Sequence, residues 1–379
     1  MTTVREVPVT ATATEPAAAL LRAYVDAWND VSHNTWGHDD FVREPVEMLE
    51  AMRDKPYEKL VRLVAIDDAH ADTPSDELPL EAVTGTGVVL LPQQDNLTWA
   101  YVGTTVRPAH RGRGVGGAIL ESCVRVARDH GRSTLMAETE HRVEPPEGPE
   151  SLTAPTGSGR VPLDDAGVRL LTKRGWDLEQ VARRSVLDLP VDPDALEEHR
   201  ARAARAAGDE YRTVGWDGPV PDEWVDAMAE LYTEMSDAPP MGGLEYEQDR
   251  WDAARVRSHE EQQVRRGIAS WTTVAQHVPS GRLVGYTTLL EVPPVRDLVH
   301  QEDTLVAEAH RGHRLGMLLK ATNLQRLAAA RPDAQRIDTW NAEENDHMLA
   351  INIALGFHPA GCAGEWQLKL GTAHGRPAA

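Results

Sequence analysis

The chain has 379 residues, a length that suits two hydrophobic cores better than one. Its 39 basic and 60 acidic residues give a net charge of −21, which disfavours nucleic acid and anionic membrane surfaces and weakly favours a cationic acceptor. Two cysteines, Cys123 and Cys362, form neither a disulfide framework nor a metal-ligand spacing, and no apolar run or signal segment is evident, so we expect a reduced, cytoplasmic protein without metal.

The first half of the chain alternates helical and β-rich segments. Helices are predicted at 17–29, 41–55 and 118–128, and strands at 60–67, 81–91, 96–106, 134–138 and 183–189. Residues 143–160 are rich in Pro, Gly and Glu and lack periodicity, which predicts a mobile insertion.

The second half repeats this order after a charged, Ala-rich helical connector at 192–207. Strands are predicted at 211–214, 271–277, 282–290, 304–306, 336–340 and 365–370, and helices at 222–235, 247–266, 317–330 and 345–355. The tail 371–379 is predicted to be disordered. Strands with helices on both faces in each half indicate an α/β (α+β) fold.

One Arg/Gly-rich pattern occurs twice. It reads His110-Arg111-Gly112-Arg113-Gly114-Val115-Gly116 and then His310-Arg311-Gly312-His313-Arg314-Leu315-Gly316, an offset of 310 − 110 = 200 residues. Each copy follows a predicted strand and precedes a predicted helix, where glycine-rich backbone and a helix N-terminus can hold a pyrophosphate. The spacing matches neither a nucleoside-triphosphate loop nor a dinucleotide fingerprint.

The pattern Arg-x-x-Gly-x-Gly, complete in Arg111, Gly114 and Gly116, resembles the pyrophosphate loop of the GCN5-related N-acetyltransferases (GNATs), which bind acetyl-CoA. After the second copy, Thr339-Trp340-Asn341 and the stretch from Asn345 to Leu355-Gly356-Phe357 resemble that family's last strand, fourth helix and closing turn. The tandem order is similar to the architecture of the mycothiol synthases, and the composition is typical of an actinobacterial protein.

The resemblance implies two tandem GNAT-type domains, each a mixed central β-sheet flanked by helices. We expect an N-terminal domain at 1–190, a connector at 191–208, a C-terminal domain at 209–371 and a tail at 372–379. It also implies acetyl-CoA, or another acyl-CoA, as the cofactor. The residues expected to bind it are Val106, Arg111, Gly112, Arg113, Gly114, Val115, Gly116 and Gly117 in the first copy and Leu305, Val306, Arg311, Gly312, His313, Arg314, Leu315, Gly316, Asn341 and Asn345 in the second.

The two copies depart from the family pattern at different places. Where the family commonly has a tyrosine general acid, the first copy has Leu171 and the second has Asn352. Arg314 replaces the middle glycine of the second loop, whereas Asp164 replaces the cofactor-side Asn in the first copy. Losing the tyrosine leaves a thiol of pKa about 8.5 to depart unprotonated near pH 7, at a cost of about 2 kcal/mol.

A general base matters more, because freeing a Lys-like amine at pH 7 costs roughly 4–5 kcal/mol. In the second copy the candidates are Glu302 and Asp303, which strand alternation should point apart, with Glu302 slightly favoured. Either acid could instead be solvated at a strand edge. In the first copy only Glu138 is comparable. His110 and His310 are expected to be packing or phosphate-side groups.

The Pro/Gly-rich loop 237–244 lies where the family lines its acceptor site, although it could equally be a plain linker between helices. Candidates for holding an acceptor are Asp237, Met241, Tyr246 and Tyr286. The expected activity is direct transfer of an acetyl group to a small-molecule amine. The resemblance implies a catalytic C-terminal domain and an N-terminal domain that binds acetyl-CoA without turnover. The alternatives are a non-catalytic acyl-CoA-binding or regulatory protein and a protein lysine acetyltransferase. We expect a monomer or homodimer with no nucleic-acid or membrane partner.

Overall fold

A computed structural model describes residues 2–53 and 55–371, and the predicted tail at 372–379 lies outside them. The chain forms two compact units. Unit 1 comprises Met1–Val181, Met241–Glu247 and Cys362–Ala379, and unit 2 comprises Ala182–Pro240 and Gln248–Gly361.

In the first half of the chain the strands and helices are, in order, β1 (Thr3–Glu6), α1 (Ala19–Trp36), α2 (Pro45–Met52), β2 (Glu58–Ile66), β3 (Val83–Pro92), β4 (Trp99–Val106), α3 (Val115–Asp129), β5 (Thr134–His141), β6 (Ser151–Thr153), β7 (Arg160–Pro162), α4 (Ala166–Lys173) and β8 (Asp177–Asp188). In the second half they are α5 (Pro193–Ala207), β9 (Tyr211–Asp217), α6 (Val225–Met235), α7 (Ala253–Arg265), β10 (Ala269–His277), β11 (Leu283–Glu291), β12 (Leu298–Val306), α8 (Leu315–Ala330), β13 (Arg336–Ala342), α9 (Asp346–Leu355) and β14 (His358–Lys369).

Unit 1 is a mixed sheet between two helical layers. Strands β1 to β4 pair antiparallel in chain order, β4 pairs with β5 in parallel, and β5 pairs antiparallel with residues 362–369 of β14. Alternate residues of β2 face opposite layers, since Leu63 packs in the core that includes α3 and α4 whereas Val64 packs with α1 and α2. Both faces of the sheet are therefore covered.

Unit 2 repeats this arrangement. Strands β9 to β12 pair antiparallel, β12 pairs with β13 in parallel, and β13 pairs antiparallel with residues 182–188 of β8. Helices α5, α8 and α9 cover one face around Leu324 and Ile337, and α6 and α7 cover the other around Met228 and Val274. The α/β fold class and the twofold repetition of elements are confirmed.

The units differ from the predicted domain boundaries because they exchange closing strands. The last strand of the chain supplies residues 362–369 to unit 1, and β8 supplies residues 182–188 to unit 2. The predicted connector is also part of unit 2, where Ala203 and Ala207 of α5 pack against Leu319 of α8. A strand edge can pair with any open edge that it meets, and an apolar helix face can pack against any open apolar surface. The order of elements in the sequence does not show which partner each one takes.

Several predicted segments differ in detail. Within the predicted mobile insertion at 143–160, β6 pairs with β7, which begins at its last residue, and this hairpin buries Ala154 and the adjoining Val161. The helix predicted at 247–266 is formed only over α7, whereas α1 extends to Trp36 before Gly37 ends it with φ +78°. Within the described residues, no helix is long and apolar enough to cross a membrane.

Candidate functional site

The two Arg/Gly-rich loops hold left-handed backbone at equivalent positions. Gly112 and Gly114 have φ values of +75° and +84°, and Gly312 and Arg314 have +87° and +56°. A Cβ added to Gly112, Gly114 or Gly312 would meet no atom within 4 Å, so the space beside each loop is open. A phosphate group can therefore approach the backbone of both loops closely.

Each loop leads directly into a helix whose first turn has no side-chain cap. Helix α3 follows Gly114 and α8 follows Arg314, and neither N-cap residue bonds the helix through its side chain. Because the side chains of Val115 and Leu315 are buried, these residues can meet a ligand only through their backbone. Open space, uncapped N–H groups and the positive helix end fit the pyrophosphate of a coenzyme A.

The last glycine of each loop has a packing role. A Cβ on Gly116 would lie 3.3 Å from Val106 and 3.5 Å from Leu170 of α4, and one on Gly316 would lie 3.1 Å from Ile351 of α9. These glycines let the loop helix approach the helix that follows it. Gly117 likewise faces a guanidinium, that of Arg174, at 2.9 Å from a Cβ position.

The first arginine of each loop fastens the loop to the strand before it. Nε of Arg111 donates to the carbonyl of Val106 at 3.1 Å, and Nε of Arg311 donates to the carbonyl of Val306 at 3.2 Å. Both arginine side chains remain exposed, so their other N–H groups can reach an anion. The repeated contact shows that the two motifs have the same local structure as well as the same spacing.

The other loop side chains differ between the units. Arg113 is exposed in unit 1. In unit 2 the ring of His313 lies 5.1 Å from that of Tyr211, whose hydroxyl is 2.9 Å from Nδ1 of His310. His310 is therefore a packing group beside the loop.

Both sheets contain a fork immediately before the loop. Strands β4 and β5 pair from Trp99 to Tyr101, and β12 and β13 pair from Leu298 to His300, after which the two strands of each pair continue without a shared register. Unpaired backbone groups therefore face each fork, which is where the substrate of a transfer reaction could bind between two strands.

Strand alternation decides which backbone N–H groups face the fork of unit 2. The N–H of Ala307 donates to Val284 at 2.9 Å, and Leu305 lies opposite Tyr286 in the same register. Alternation then directs the N–H of Leu305 to β11 and that of Val306 to the fork. Of the two predicted backbone donors, only Val306 is placed for this role.

Glu302 and Asp303 lie at a β-bulge. Leu289 is opposite Gln301 and Thr287 is opposite Thr304, so Thr288 faces the two acids together. The bulge interrupts the regular alternation expected for these two residues, and both side chains are exposed. The register of β3 with β4 in unit 1 contains no such bulge.

The surroundings of the two acids favour their protonated forms. Loss of hydrating water, followed by the neighbouring charge of Asp303, raises the pKa of Glu302. Loss of water also raises the pKa of Asp303, although a hydrogen bond from the Tyr286 hydroxyl at 3.0 Å opposes this rise. Two carboxylates with raised pKa values at a strand fork are suited to accepting a proton.

A third polar group, not predicted from the sequence, lies where β12 and β13 part. Nδ1 of His300 is 2.7 Å from Oδ1 of Asp338, and Nε of Arg184 donates to Oδ2 at 3.1 Å. Burial raises the pKa of Asp338, but the hydrogen bond from His300 and the charge of Arg184 outweigh it and keep that pKa low. The signal available in the sequence was an Asp between Ile337 and Thr339, in the part of β13 that is buried.

Asn352 and Asn345 occupy structural positions. Asn352 is 1% exposed, its Oδ1 accepts from Nζ of Lys320 at 2.8 Å, and its Nδ2 donates to Oδ1 of Asn341 at 2.7 Å. Asn352, at the position of the family's tyrosine, is predicted to be a catalytic residue, and that role stays a prediction. Asn345 caps α9, because its Oδ1 accepts from the N–H of Met348 at 3.2 Å.

The candidate acceptor residues have different local surroundings. Met241 and Tyr246 belong to unit 1, where the ring of Tyr246 lies edge-on to Trp99 at 5.3 Å. Asp237 is exposed and accepts from Gln248 at 3.0 Å, whereas Tyr286 is 1% exposed and bonded to Asp303. A role in holding an acceptor, for these four residues and for the loop 237–244, stays a prediction. Residues 241–247, which include the second half of that loop, belong to unit 1. There the backbone N–H of Glu245 donates to Oε1 of Gln367 at 2.7 Å.

Unit 1 has its own acidic group beyond its fork. The hydroxyl of Tyr101 donates to Glu138 at 3.4 Å, and Glu365 on β14 lies directly opposite Glu138. Burial, followed by the charges of Glu365 and Glu140, raises the pKa of Glu138 to about 8. In unit 1 the position equivalent to Asn352 is occupied by Leu171, which is buried in the core.

Comparison with known proteins agrees with this geometry. Residues 23–145 match the profile of the acetyltransferase (GNAT) family. No curated protein matches the sequence. Among solved structures, the chain is similar to a tandem GNAT protein from the clavulanic acid biosynthesis pathway, with 23% identity, a TM-score of 0.70 and coverage of 98% of this chain and 100% of the other.

Two further structures have the same fold at lower identity. A GCN5-related N-acetyltransferase from Sphaerobacter thermophilus is 14% identical with a TM-score of 0.60, and covers 97% of this chain and 95% of its own. A GCN5-related glucosamine N-acetyltransferase region of a fungal multi-domain GH3 β-N-acetylglucosaminidase is 13% identical with a TM-score of 0.57, over 97% of this chain and 38% of the other.

The fold and the repeated site define a protein of two α/β units, each with an Arg/Gly-rich loop that follows a strand fork. More specifically, residues 23–145 are similar to the GNAT acetyltransferase family, and the whole chain has the fold of a tandem GNAT protein.

Proposed function

We propose that this protein is an acyl-CoA-dependent N-acyltransferase in which unit 2 transfers an acetyl group to a small-molecule amine. The observation that supports this most strongly is the β-bulge of unit 2, where Glu302 and Asp303 are exposed beside the fork, on the strand that leads into the open Arg/Gly-rich loop. A similar tandem protein comes from the biosynthesis pathway of a small molecule, clavulanic acid, which favours a small acceptor over a protein.

Acetyl-CoA supplies an acyl group activated as a thioester. In unit 2 the backbone of Arg311, Gly312 and Arg314 and the first turn of α8 would hold its phosphates, and the equivalent groups from Arg111 to Gly114 would do so in unit 1. The N–H of Val306 faces the fork, where it can orient and polarise a carbonyl oxygen.

Glu302 is the proposed general base. It accepts no side-chain hydrogen bond within the described residues, whereas Asp303 accepts one from Tyr286. The negative charge of Asp303 raises the pKa of Glu302, which makes it a stronger base for the proton that leaves the attacking amine. General-base assistance of this kind contributes about 10²–10⁴ in rate.

The direct test measures thiol release from acetyl-CoA over a panel of small amines and lysine peptides. Glu302→Gln should lower kcat/KM by about 10²–10⁴ with the preferred amine, and Asp303→Asn should lower it less. Glu261→Gln, an equal charge change at an exposed position of α7, is the matched control and should keep full activity. If no acceptor of the panel causes thiol release, the proposed enzymatic activity is refuted. If only the lysine peptides cause it, the proposal of a small-molecule acceptor is refuted.

A further inference from the structure

Lys320 is a buried lysine, and no carboxylate among the described residues forms an ion pair with it. It is 2% exposed on α8, and its Nζ contacts Oδ1 of Asn352 at 2.8 Å and lies 5.8 Å from the ring of Phe357. Burial alone lowers the pKa of Lys320 to about 7. Placing an ammonium in the core is costly, so a polar group at this position requires an explanation.

Unit 1 shows that the fold does not need this polar pair. The residue 200 positions before Lys320 is Leu120, and the residue four before Gly175, as Asn352 is four before Gly356, is Leu171. Both leucines are buried in the core of unit 1. The same packing position is therefore filled by two apolar side chains in one unit and by a lysine and an asparagine in the other.

The pair in unit 2 fixes the orientation of two amides. An ammonium has only donors, so the carbonyl of Asn352 must face Lys320 and its NH₂ must face the other way. That NH₂ donates to Oδ1 of Asn341 at 2.7 Å, which leaves the NH₂ of Asn341 at the end of the chain. Reversing the first amide would reverse the second and end the chain in an acceptor.

The chain of amides ends beside the fork. Asn341 lies on β13 three residues beyond Asp338, the last residue of β13 that pairs with β12. Its side chain is half-buried, and within the described residues no acceptor contacts its two Nδ2 hydrogens. Lys320 is thus linked, through Asn352, to the N–H donors of Asn341 at the place where the proposed reaction occurs.

We propose that Lys320 is a positioning residue, which orients Asn352 and Asn341 so that Asn341 presents N–H donors to the sulfur of the acyl-CoA. This inference rests on the proposed function. In the transfer step the amine nitrogen bonds the acyl carbon, the carbon–sulfur bond breaks, its electron pair goes to sulfur, and the amine proton goes to Glu302. The donors of Asn341 stabilise the negative charge left on sulfur. The ammonium gains from the same charge, because a nearby anion favours its protonated form.

The test follows the thiol of bound coenzyme A rather than turnover alone. The pKa of that thiol is measured from the ultraviolet absorbance of its thiolate, with the full chain and the variants Lys320→Met and Lys320→Leu/Asn352→Leu. The double variant copies the leucine pair of unit 1 and should fold with equal or greater stability. Unit 1 is unchanged in all three proteins, so its contribution cancels in the difference.

We expect the pKa of the thiol bound to unit 2 to lie about one to two units lower with the native chain than with either variant. Affinity for desulfo-coenzyme A should be unchanged, and kcat should fall about 10²-fold at constant KM for the acyl donor. An identical thiol titration in the native chain and the double variant overturns the inference. Loss of desulfo-coenzyme A affinity also overturns it, since it indicates a purely structural role. A native chain that shifts the thiol pKa yet acylates no amine refutes the proposed function and leaves this inference supported.

Discussion

Gly114 and Arg314 occupy equivalent positions in the two phosphate loops, and both have left-handed backbone, with φ values of +84° and +56°. Glycine adopts this conformation freely, whereas for a residue with a Cβ it costs about 1–2 kcal/mol. Unit 2 therefore retains backbone strain at its loop together with one additional cation. A gain in binding anionic phosphates is the physical reason that fits this substitution.

Arg314→Gly should separate the strain from the charge. Relief of strain, partly offset by the greater chain entropy of glycine, should stabilise the protein by about 0.5 kcal/mol. Affinity for coenzyme A at unit 2 should fall, with a weaker dependence on salt. Urea unfolding and coenzyme A titration at low and high salt measure both effects. Unchanged affinity and salt dependence would show that Arg314 does not act on the phosphates.

Gly114→Glu should remove coenzyme A binding at unit 1 and spare turnover, because unit 2 is the proposed catalytic unit. The new side chain has open space, so the variant should fold despite the strain of φ +84°, and its carboxylate would repel phosphate. Gly131→Glu is the matched control, since Gly131 has φ +77° and the same open space at the other end of α3. Calorimetric binding stoichiometry should fall only with Gly114→Glu. If turnover is lost while that variant remains folded, the roles of the units are reversed.

The pH dependence of kcat/KM should distinguish Glu302 from His300 as the general base. If Glu302 is the base, Glu302→Gln should remove the rise in rate with pH on the acidic side. Because His300 lowers the pKa of Glu302, His300→Asn should shift that rise to higher pH while preserving it. Rate profiles of both variants with one amine provide the comparison. Complete loss of the acidic limb in His300→Asn would instead identify His300, held by Asp338, as the base.

The sequence predicted what depends on local pattern. The two loops, the strands before them and the helices after them follow from the spacing of Arg111 and Arg311, because turn and helix-start geometry are local. The exchange of closing strands depends on long-range pairing between open edges, which no local pattern records. The bulge at Glu302 was not predicted, because the sequence pattern placed only residues 304–306 in this strand, and the extra residue of β12 relative to β4 is seen only once the structure gives the bounds of both strands.

Buried polar contacts were the hardest to predict. Lys320 lies in the helical stripe of α8, where a lysine normally indicates the solvent face, and only tertiary structure shows that it faces Asn352. Asn345 was assigned to the cofactor from the resemblance, although an Asn directly before a helix is equally typical of an N-cap.

Glu365 should control both the protonation of Glu138 and the stability of the protein in alkaline solution. The pKa of Glu138 is raised to about 8 by burial and then by Glu365, so the folded protein binds this proton more tightly than the unfolded chain. A raised carboxyl pKa means that its stabilising contribution is present at low pH and is lost as pH rises through about 8. Glu365→Gln removes one like charge, lowers the pKa of Glu138 and should reduce this loss. The measurement is Tm at about pH 6 and about pH 9, with Glu147→Gln at an exposed loop position as the charge-matched control. An equal fall in Tm for Glu365→Gln and the native chain would show that Glu365 does not act on Glu138.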